Sequence, residues 1–498
     1  MKVRSGATKK NATNHKNSPA LGVFIFLGLS TLIYFGPPSL HMIKNDVAEQ
    51  VESFAYSDID FVSQYQSEGN TRCHGEGSIS GLPGFYVFDK LWYKSGTFYL
   101  FSDHPETITL PKLDAITSGH NPFLVRPTSE SPHHIKAKDQ DSKIRCFPHE
   151  IIWLNAGIPP AAFQRRHIAK RFNWEYHHYH FLAESLLGGI ASLDLVNQQH
   201  TNDINPLGER KRWLFIPYEG DWKDPYGLNE PVVNGLFGNH LVDSSAWREI
   251  SSNGDWVGLE KVVLIDRWAS HRYNTKANLW NKMALDVFDS LPSSAITPTQ
   301  SDTGLTSLFS GYRNNFLDYM EIQPLQRGKA GMALYEVPNI IYVDRQASGR
   351  RLVPEAHRDL LLILRDLERA GLARTVVGKL EEMSYEDQIK LFAGADIVIG
   401  VHGNGLTHQV WMAPGGILIE VFPSGVFLRD YQVVSQVVGH EHVAILDNHV
   451  YTREEWESEP GKLLATSPND ANDRNIQLDK GFIEKLLKEK ISQFNVVH

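Results

Sequence analysis

Residues 396–408 read DIVIGVHGNGLTH. After Asp396 the run is apolar and β-branched, as suits a strand buried on both faces. It then breaks at His402, Gly403, Asn404, Gly405 and Leu406, a glycine-flanked turn that opens a helix. Downstream, Gly416-Ile-Leu-Ile-Glu420-Val-Phe422 predicts another strand. Upstream, Ser384 is a plausible cap for a helix, and Thr375-Val-Val377 predicts a short strand. Pro354 opens a helix that runs to Arg369 with Leu360, Leu364 and Leu367 on one face, and Gly371 stops it. Asn339–Asp344 predicts a further strand. Strands alternating with helices imply an α/β fold with a doubly wound parallel sheet. Ligands in such sheets bind beyond the carboxyl ends of the strands.

The chain before residue 330 is less regular. Trp213–Pro217 and Lys261–Asp266 predict buried strands. A loop rich in Gly, Asn, Pro and Trp is expected near 219–240, and Arg210-Lys211-Arg212 reads as a solvated triplet. The expected organisation is a first α/β lobe at 76–330, a second at 331–450, and a linker with a C-terminal helix at 451–498. That helix, Asp479–Phe494, carries Phe482, Leu486, Leu487 and Ile491 on one face.

The chain has 498 residues and a formal charge of −9, with no extended basic stripe, which speaks against a nucleic-acid partner. Residues 20–36 read ALGVFIFLGLSTLIYFG, uncharged and near the lower limit for spanning a bilayer. Lys2, Arg4, Lys9, Lys10 and Lys16 precede them. The positive-inside rule then makes 1–19 a cytosolic tail, 20–36 a signal anchor and 37–75 a luminal stem. A cleaved signal peptide is the competing reading. The expected location is the Golgi or endoplasmic reticulum membrane, single-pass and type II, with one helix in the lipid bilayer. The two cysteines, Cys73 and Cys146, are expected to bond in an oxidising lumen. The only Asn-x-Ser/Thr sequon, at Asn11, falls on the cytosolic side.

Three constellations could carry chemistry. The 402–406 turn sits at a strand's carboxyl end, where helix-start amides favour an anion such as a diphosphate. Asp344-Arg345 through Arg350-Arg351 places three arginines in the loop after a strand, and guanidiniums fork onto phosphate oxygens. If residues 177–184 are helical, His177, His180 and Glu184 share a face, and a neutral histidine or a carboxylate there could deprotonate a hydroxyl. Either the same cluster binds zinc, without an HExxH pattern to support it, or it is structural. Glu420, at a strand end, could bind ribose hydroxyls or be a solvated charge.

Together these blocks resemble glycosyltransferase family 61, which includes secretory N-acetylglucosaminyl- and xylosyltransferases. The matching residues are Tyr179-His180-x-x-x-Glu184, Val343-Asp344-Arg345 with Arg350-Arg351, and Gly400–Thr407 with Ala413-Pro414-Gly415 and Glu420–Pro423. The resemblance covers about 170–447 and implies two Rossmann-like lobes of the GT-B type. It implies inversion at the anomeric carbon, a UDP-sugar donor carrying N-acetylglucosamine or xylose, a glycan or protein hydroxyl as acceptor, and no metal or bound cofactor. His180 or Glu184 would activate the acceptor. Arg345, Arg350, Arg351, His402, Gly403, Asn404, Gly405, Leu406 and Glu420 would hold the donor. Asn404 stands where the family usually carries alanine. It also implies a C-terminal helix that crosses back to the first lobe. The rival readings are a non-catalytic luminal glycan-binding protein on the same scaffold and a metal-dependent hydrolase built on the 177–184 histidines.

Overall fold

The computed structural model describes residues 71–119, 123–132, 143–155, 157, 177–200, 212–218, 222–293, 297–301, 304–323, 337–458 and 475–494. The expected tail, membrane anchor and most of the stem lie outside them, as do Arg210 and Lys211. Among the described residues no helix is long and apolar enough to cross a membrane.

The chain builds a mixed α/β structure around two main sheets. The first contains β1 (Ser78–Leu82), β2 (Phe85–Lys94), β3 (Thr97–Phe101), β4 (Val125–Thr128), β5 (Ile144–Leu154), β6 (Arg212–Phe215), β7 (Leu241–Val242) and β8 (Trp256–Ile265). Their order is β4-β3-β2-β8-β5-β6-β7, with β1 also on β2. The β8-β5-β6-β7 half is parallel, whereas β2 runs antiparallel to its neighbours β1, β3 and β8. The helix Leu187–His200 lies close on this sheet. Its glycines permit that approach: a Cβ at Gly189 would sit 2.5 Å from Ile265 Cδ1.

A small ladder, β9 (Thr299–Ser301) with β10 (Gly304–Thr306), precedes the second sheet. That sheet contains β11 (Asn339–Val343), β13 (Arg374–Gly378), β14 (Ile397–Val401), β15 (Ile417–Phe422), β16 (Glu441–Leu446) and β17 (His449–Tyr451) in the order β13-β11-β14-β15-β16-β17. All pairs are parallel except the β16-β17 edge. Every residue of β14 and β15 is buried, which explains their unbroken apolar reading. Chain order reverses between β11 and β14, so their carboxyl ends flank the sheet's switch point. β12 (Arg351–Leu352) pairs apart from this sheet with β18 (Asn475–Ile476).

Local signals fix the second sheet's helices. Pro354 starts Pro354–Arg369, whose buried Ala356, Leu360, Ile363, Leu364 and Leu367 recur at helical spacing. Ser384 caps Tyr385–Ala393 by accepting from the Asp387 amide. One apolar core joins the two sheets, taking Ile152 and Val263 from the first and Val398 and Leu418 from the second. The outer face of the second sheet has its own core.

Three expectations change. The C-terminal helix Lys480–Phe494 does not cross to the first lobe. Its Ile483, Leu486, Leu487, Ile491 and Phe494 bury against Pro354–Arg369 and the second sheet, where a matching apolar surface is available. Within 219–240, residues Asn229–Phe237 form a helix rather than loop. Arg212 is not solvated: its guanidinium is buried between Glu150 Oε2 at 2.7 Å, Asp194 Oδ1 at 2.6 Å and the Tyr312 hydroxyl at 2.6 Å. Two carboxylates compensate the charge, so burial is tolerated.

Cys73 and Cys146 form a disulfide, with Cα atoms 6.0 Å apart, in a cluster with Trp92, Phe101 and Trp256. The bond spans 73 residues of sequence. Loop closure of that length should stabilise the fold by about 4 kcal/mol. Cys146→Ser should therefore lower the thermal midpoint by several degrees, read by circular dichroism. An unchanged midpoint would show that the disulfide is dispensable.

Candidate active site

Two strand ends of the second sheet build one half of the site. β11 ends at Val343 and leads into Asp344 and Arg345, and β14 ends at Val401 and leads into His402 and Gly403. The strands are neighbours, so the two loops meet: Arg345 Nη1 donates to the His402 carbonyl at 3.0 Å, while Nε donates to Ser348 Oγ at 2.9 Å. Gly403 makes this crossing possible. A Cβ there would fall 1.2 Å from Arg345 Nη1. The turn feeds a 3₁₀ helix, Asn404–Trp411. Its first amides, those of Asn404 and Gly405, have no intrahelical acceptor by geometry. Leu406 instead buries its side chain and donates its amide to Gly403 O.

Arg345 and Arg350 share this corner, and among the described residues neither forms an ion pair. Burial lowers the Arg345 pKa, and the Arg350 charge beside it lowers it further. Such a pair of cations suits an anion supplied from outside. Arg351 turns elsewhere: its Nε donates to Asn475 Oδ1 at 3.0 Å. Two of the three arginines are thus brought together.

The other half comes from the first lobe. Residues His180–Leu186 form a π-helical turn that runs into Leu187–His200. Such turns recur at functional sites. His180 Nδ1 lies 2.7 Å from Glu184 Oε2. Arg267 reaches the same carboxylate through Nε at 3.0 Å and also through Nη2, and the Met283 amide donates to Glu184 Oε1 at 3.0 Å. Burial would raise the Glu184 pKa, but Arg267 and His180 overcome it and hold the carboxyl well below its usual range. Burial pushes His180 down to about 4, Arg267 adds to that, and Glu184 opposes it. At neutral pH the ring is neutral. Nδ1 lies between Glu184 Oε2 and Arg267 Nη2, the latter at 3.0 Å; in the tautomer that donates Nδ1–H to Glu184, Nε2 carries the lone pair.

Asp430 and Tyr431 join the halves, at the start of the helix Asp430–Val438. The Tyr179 hydroxyl donates to Asp430 O at 2.9 Å, and Lys282 Nζ lies 2.9 Å from Asp430 Oδ1. Burial would raise the Asp430 carboxyl, but Lys282, His402 and His180 together hold it low. The charges of Asp430, Glu420, Arg350 and Arg345 all reach the Tyr431 hydroxyl. Asp430 and Tyr431 thus stand between the base candidate and the arginine corner.

A family model described as Glycosyltransferase 61 matches residues 111–419, well over half the chain. The chain belongs to glycosyltransferase family 61. The EGF domain-specific O-linked N-acetylglucosamine transferase of Drosophila melanogaster is 22% identical over 276 residues, 55% of this chain and 44% of that one. Protein O-linked-mannose beta-1,4-N-acetylglucosaminyltransferase 2 of Xenopus tropicalis is 25% identical over 150 residues, 29% of this chain and 24% of that one. The chain thus matches less than half the length of either relative.

In this family 61 chain Glu420 is fully buried beneath the glycine-flanked turn. Its oxygens meet His402 Nδ1 at 2.5 Å and His442 Nε2 at 2.7 Å. Burial pushes its pKa up to about 7 against the pull of His402. A ribose could reach it only by displacing a histidine. Asn404 is exposed and accepts from Thr407 Oγ1 at 3.2 Å. Among the described residues no group of three or more His, Cys, Asp or Glu side chains is placed to hold a metal.

Sequence reasoning missed Arg267, Lys282, Asp430 and Tyr431, which no local motif marks. Glu184 should reveal the weight of this network. Its folded pKa lies below the ordinary 4.5, so its stabilisation is present at neutral pH and fades as pH falls through and below that value. Glu184→Gln leaves Arg267 buried without a counter-charge and should cost about 3–5 kcal/mol at pH 7. Urea denaturation at neutral and acid pH should show the gap to wild type narrowing on acidification. A gap that stays constant would refute the charge assignment.

Proposed function

We propose that this chain is an inverting glycosyltransferase that moves N-acetylglucosamine, or else xylose, from a UDP-sugar to a hydroxyl of a glycan or glycoprotein. One observation carries the reading: Arg345 and Arg350, without an ion pair among the described residues, sit at a glycine-flanked turn on the sheet's switch point, and Asp430 and Tyr431 link that corner to a histidine bonded to a carboxylate. The names of the relatives support N-acetylglucosamine as the sugar and a glycoprotein acceptor. The two sheets, the second of them doubly wound and parallel but for its β17 edge, fit a GT-B arrangement.

In this mechanism His180 Nε2 takes the proton of the acceptor hydroxyl. The oxygen attacks the anomeric carbon from the face opposite UDP, and the bond to the diphosphate breaks with inversion. The leaving charge falls on Arg345, Arg350 and the amides of Asn404 and Gly405. Glu184 acts through His180: it fixes the tautomer and stabilises the imidazolium that forms. The diphosphate itself would raise the proton affinity of His180, so donor binding should precede activation of the acceptor. Glu420 holds His402 in place beneath the donor. No cofactor is needed. The anchor at 20–36 would place this site in the lumen of the Golgi or endoplasmic reticulum.

The test is UDP release by the full chain in detergent with UDP-linked N-acetylglucosamine, xylose, glucose, galactose and arabinose. Release with one donor, stimulated by a glycan, is expected. Tight UDP binding with no release from any donor and acceptor would instead favour a glycan-binding protein on a transferase scaffold. Arg345→Ala should weaken UDP about tenfold or more with the fold intact; unchanged affinity removes the assignment. His180→Ala should cut turnover about a hundredfold while UDP affinity stays within about twofold. Equal losses in both would make the histidine structural.

A further inference from the structure

The turn Trp222–Asn229 bears an aromatic ring that the packing leaves in water. Tyr226 is 83% exposed, more than any other large apolar side chain among the described residues, and Pro225 beside it is exposed too. The turn is tightly held. Asp224 Oδ1 accepts from the Leu228 amide at 2.6 Å and the Asn229 amide at 2.7 Å, and Oδ2 accepts from the Tyr226 amide at 3.2 Å. Gly227 closes the turn in the left-handed region, φ 71°, and donates to Asp224 O at 3.0 Å. A ring on so fixed a backbone loses little entropy on binding.

The turn is also joined to the helix that carries the base. Asn229 Oδ1 accepts from His178 Nδ1 at 2.9 Å, two residues before His180, while Asn229 Nδ2 donates to Trp222 O at 2.8 Å. Trp222 stacks on Phe181, with centroids 6.0 Å apart and planes at 23°. His178, bonded to Asn229 of the turn, meets Tyr385 of the second lobe edge-on with ring centroids 6.2 Å apart, so the turn stands near the place where the two halves touch.

We propose that Pro225 and Tyr226 form an acceptor subsite that stacks on the apolar face of a pyranose ring, at least one sugar away from the hydroxyl that His180 deprotonates. This rests on the transferase reading. A pyranose presents C–H groups on its faces and hydroxyls at its rim. A flat ring flanked by exposed hydrogen-bonding side chains matches that pattern, and Lys223 and Glu230, paired with each other at the surface, supply them. Phosphate would demand cations free of counter-charge, whereas the cation of this turn, Lys223, is paired with Glu230; a peptide strand would demand an open backbone edge, which the turn does not offer. Because the turn is fastened to the helix of His180 through the His178–Asn229 hydrogen bond and the Phe181–Trp222 stack, a sugar seated on it sets the register of the acceptor hydroxyl.

The probes are chitobiose, cellobiose, xylobiose, mannobiose and lactose, each titrated onto the full chain by saturation-transfer NMR. At least one should bind, about tenfold more weakly to Tyr226→Ala and within about twofold of wild type to Tyr226→Phe, which keeps the ring. UDP affinity should be the same in all three proteins. The subsite is refuted if no disaccharide binds, if Tyr226→Ala binds as wild type does, or if Tyr226→Phe loses as much as Tyr226→Ala. UDP release from the donor panel is read in parallel. Release together with Tyr226-independent binding sinks the subsite alone. Tyr226-dependent binding with no release supports the sugar platform and overturns the transfer role it was tied to.

Discussion

The hydrogen bond from the Arg345 guanidinium to the His402 carbonyl fastens two loops that are 57 residues apart in sequence. It can exist only because β11 and β14 are parallel neighbours whose ends emerge together. It also requires the absence of a side chain at Gly403. Strand order, loop length and one glycine thus converge on a single contact. The neighbouring Arg350 then adds a second positive charge, and among the described residues neither arginine forms an ion pair, although the charges of Glu381 and Glu420 reach the corner. Desolvation of such a pair is costly unless an anion arrives.

Other buried cations are treated in the opposite way. Arg212 lies between two carboxylates, Arg267 lies on Glu184, and Lys282 lies on Asp430. Arg429 is wedged against Trp456 and near Asp289. Where the protein needs charge only for architecture, it supplies the counter-charge itself. The arginine corner departs from that pattern, and the departure distinguishes a receiving site from a structural one.

The second sheet was largely legible in the sequence, because its signals are local. β14 and β15 are apolar throughout since both faces are covered, and the leucines of Pro354–Arg369 keep a helical period. Ser384 acts as the cap its position suggests. The first sheet was less legible: its strand order is far from chain order, and β2 runs antiparallel to three neighbours. The site was legible in its motifs and opaque in its joints. His180 and Glu184 touch, as i and i+4, on the same turn. Arg267 reaches Glu184 from 83 residues away, and Asp430, held by Lys282, reaches the adjoining Tyr179 from 251, with no pattern to announce it. Arg212 misled because a basic triplet looks solvated unless its distant acids are known. Of the two readings of Glu420, ribose ligand or solvated charge, the solvated one fails: a strand-end acid looks open until two histidines close on it.

The C-terminal helix keeps entirely to the second lobe. It therefore does not splint the two halves together. That duty falls to Asp430 and Tyr431, which hold Tyr179 and Lys282 of the first lobe while standing within reach of the arginines. The joint between the two halves and the surroundings of the arginine corner thus share the same two residues. A substitution at either would therefore be felt on both sides at once, in the packing of the halves and in the charge around the corner.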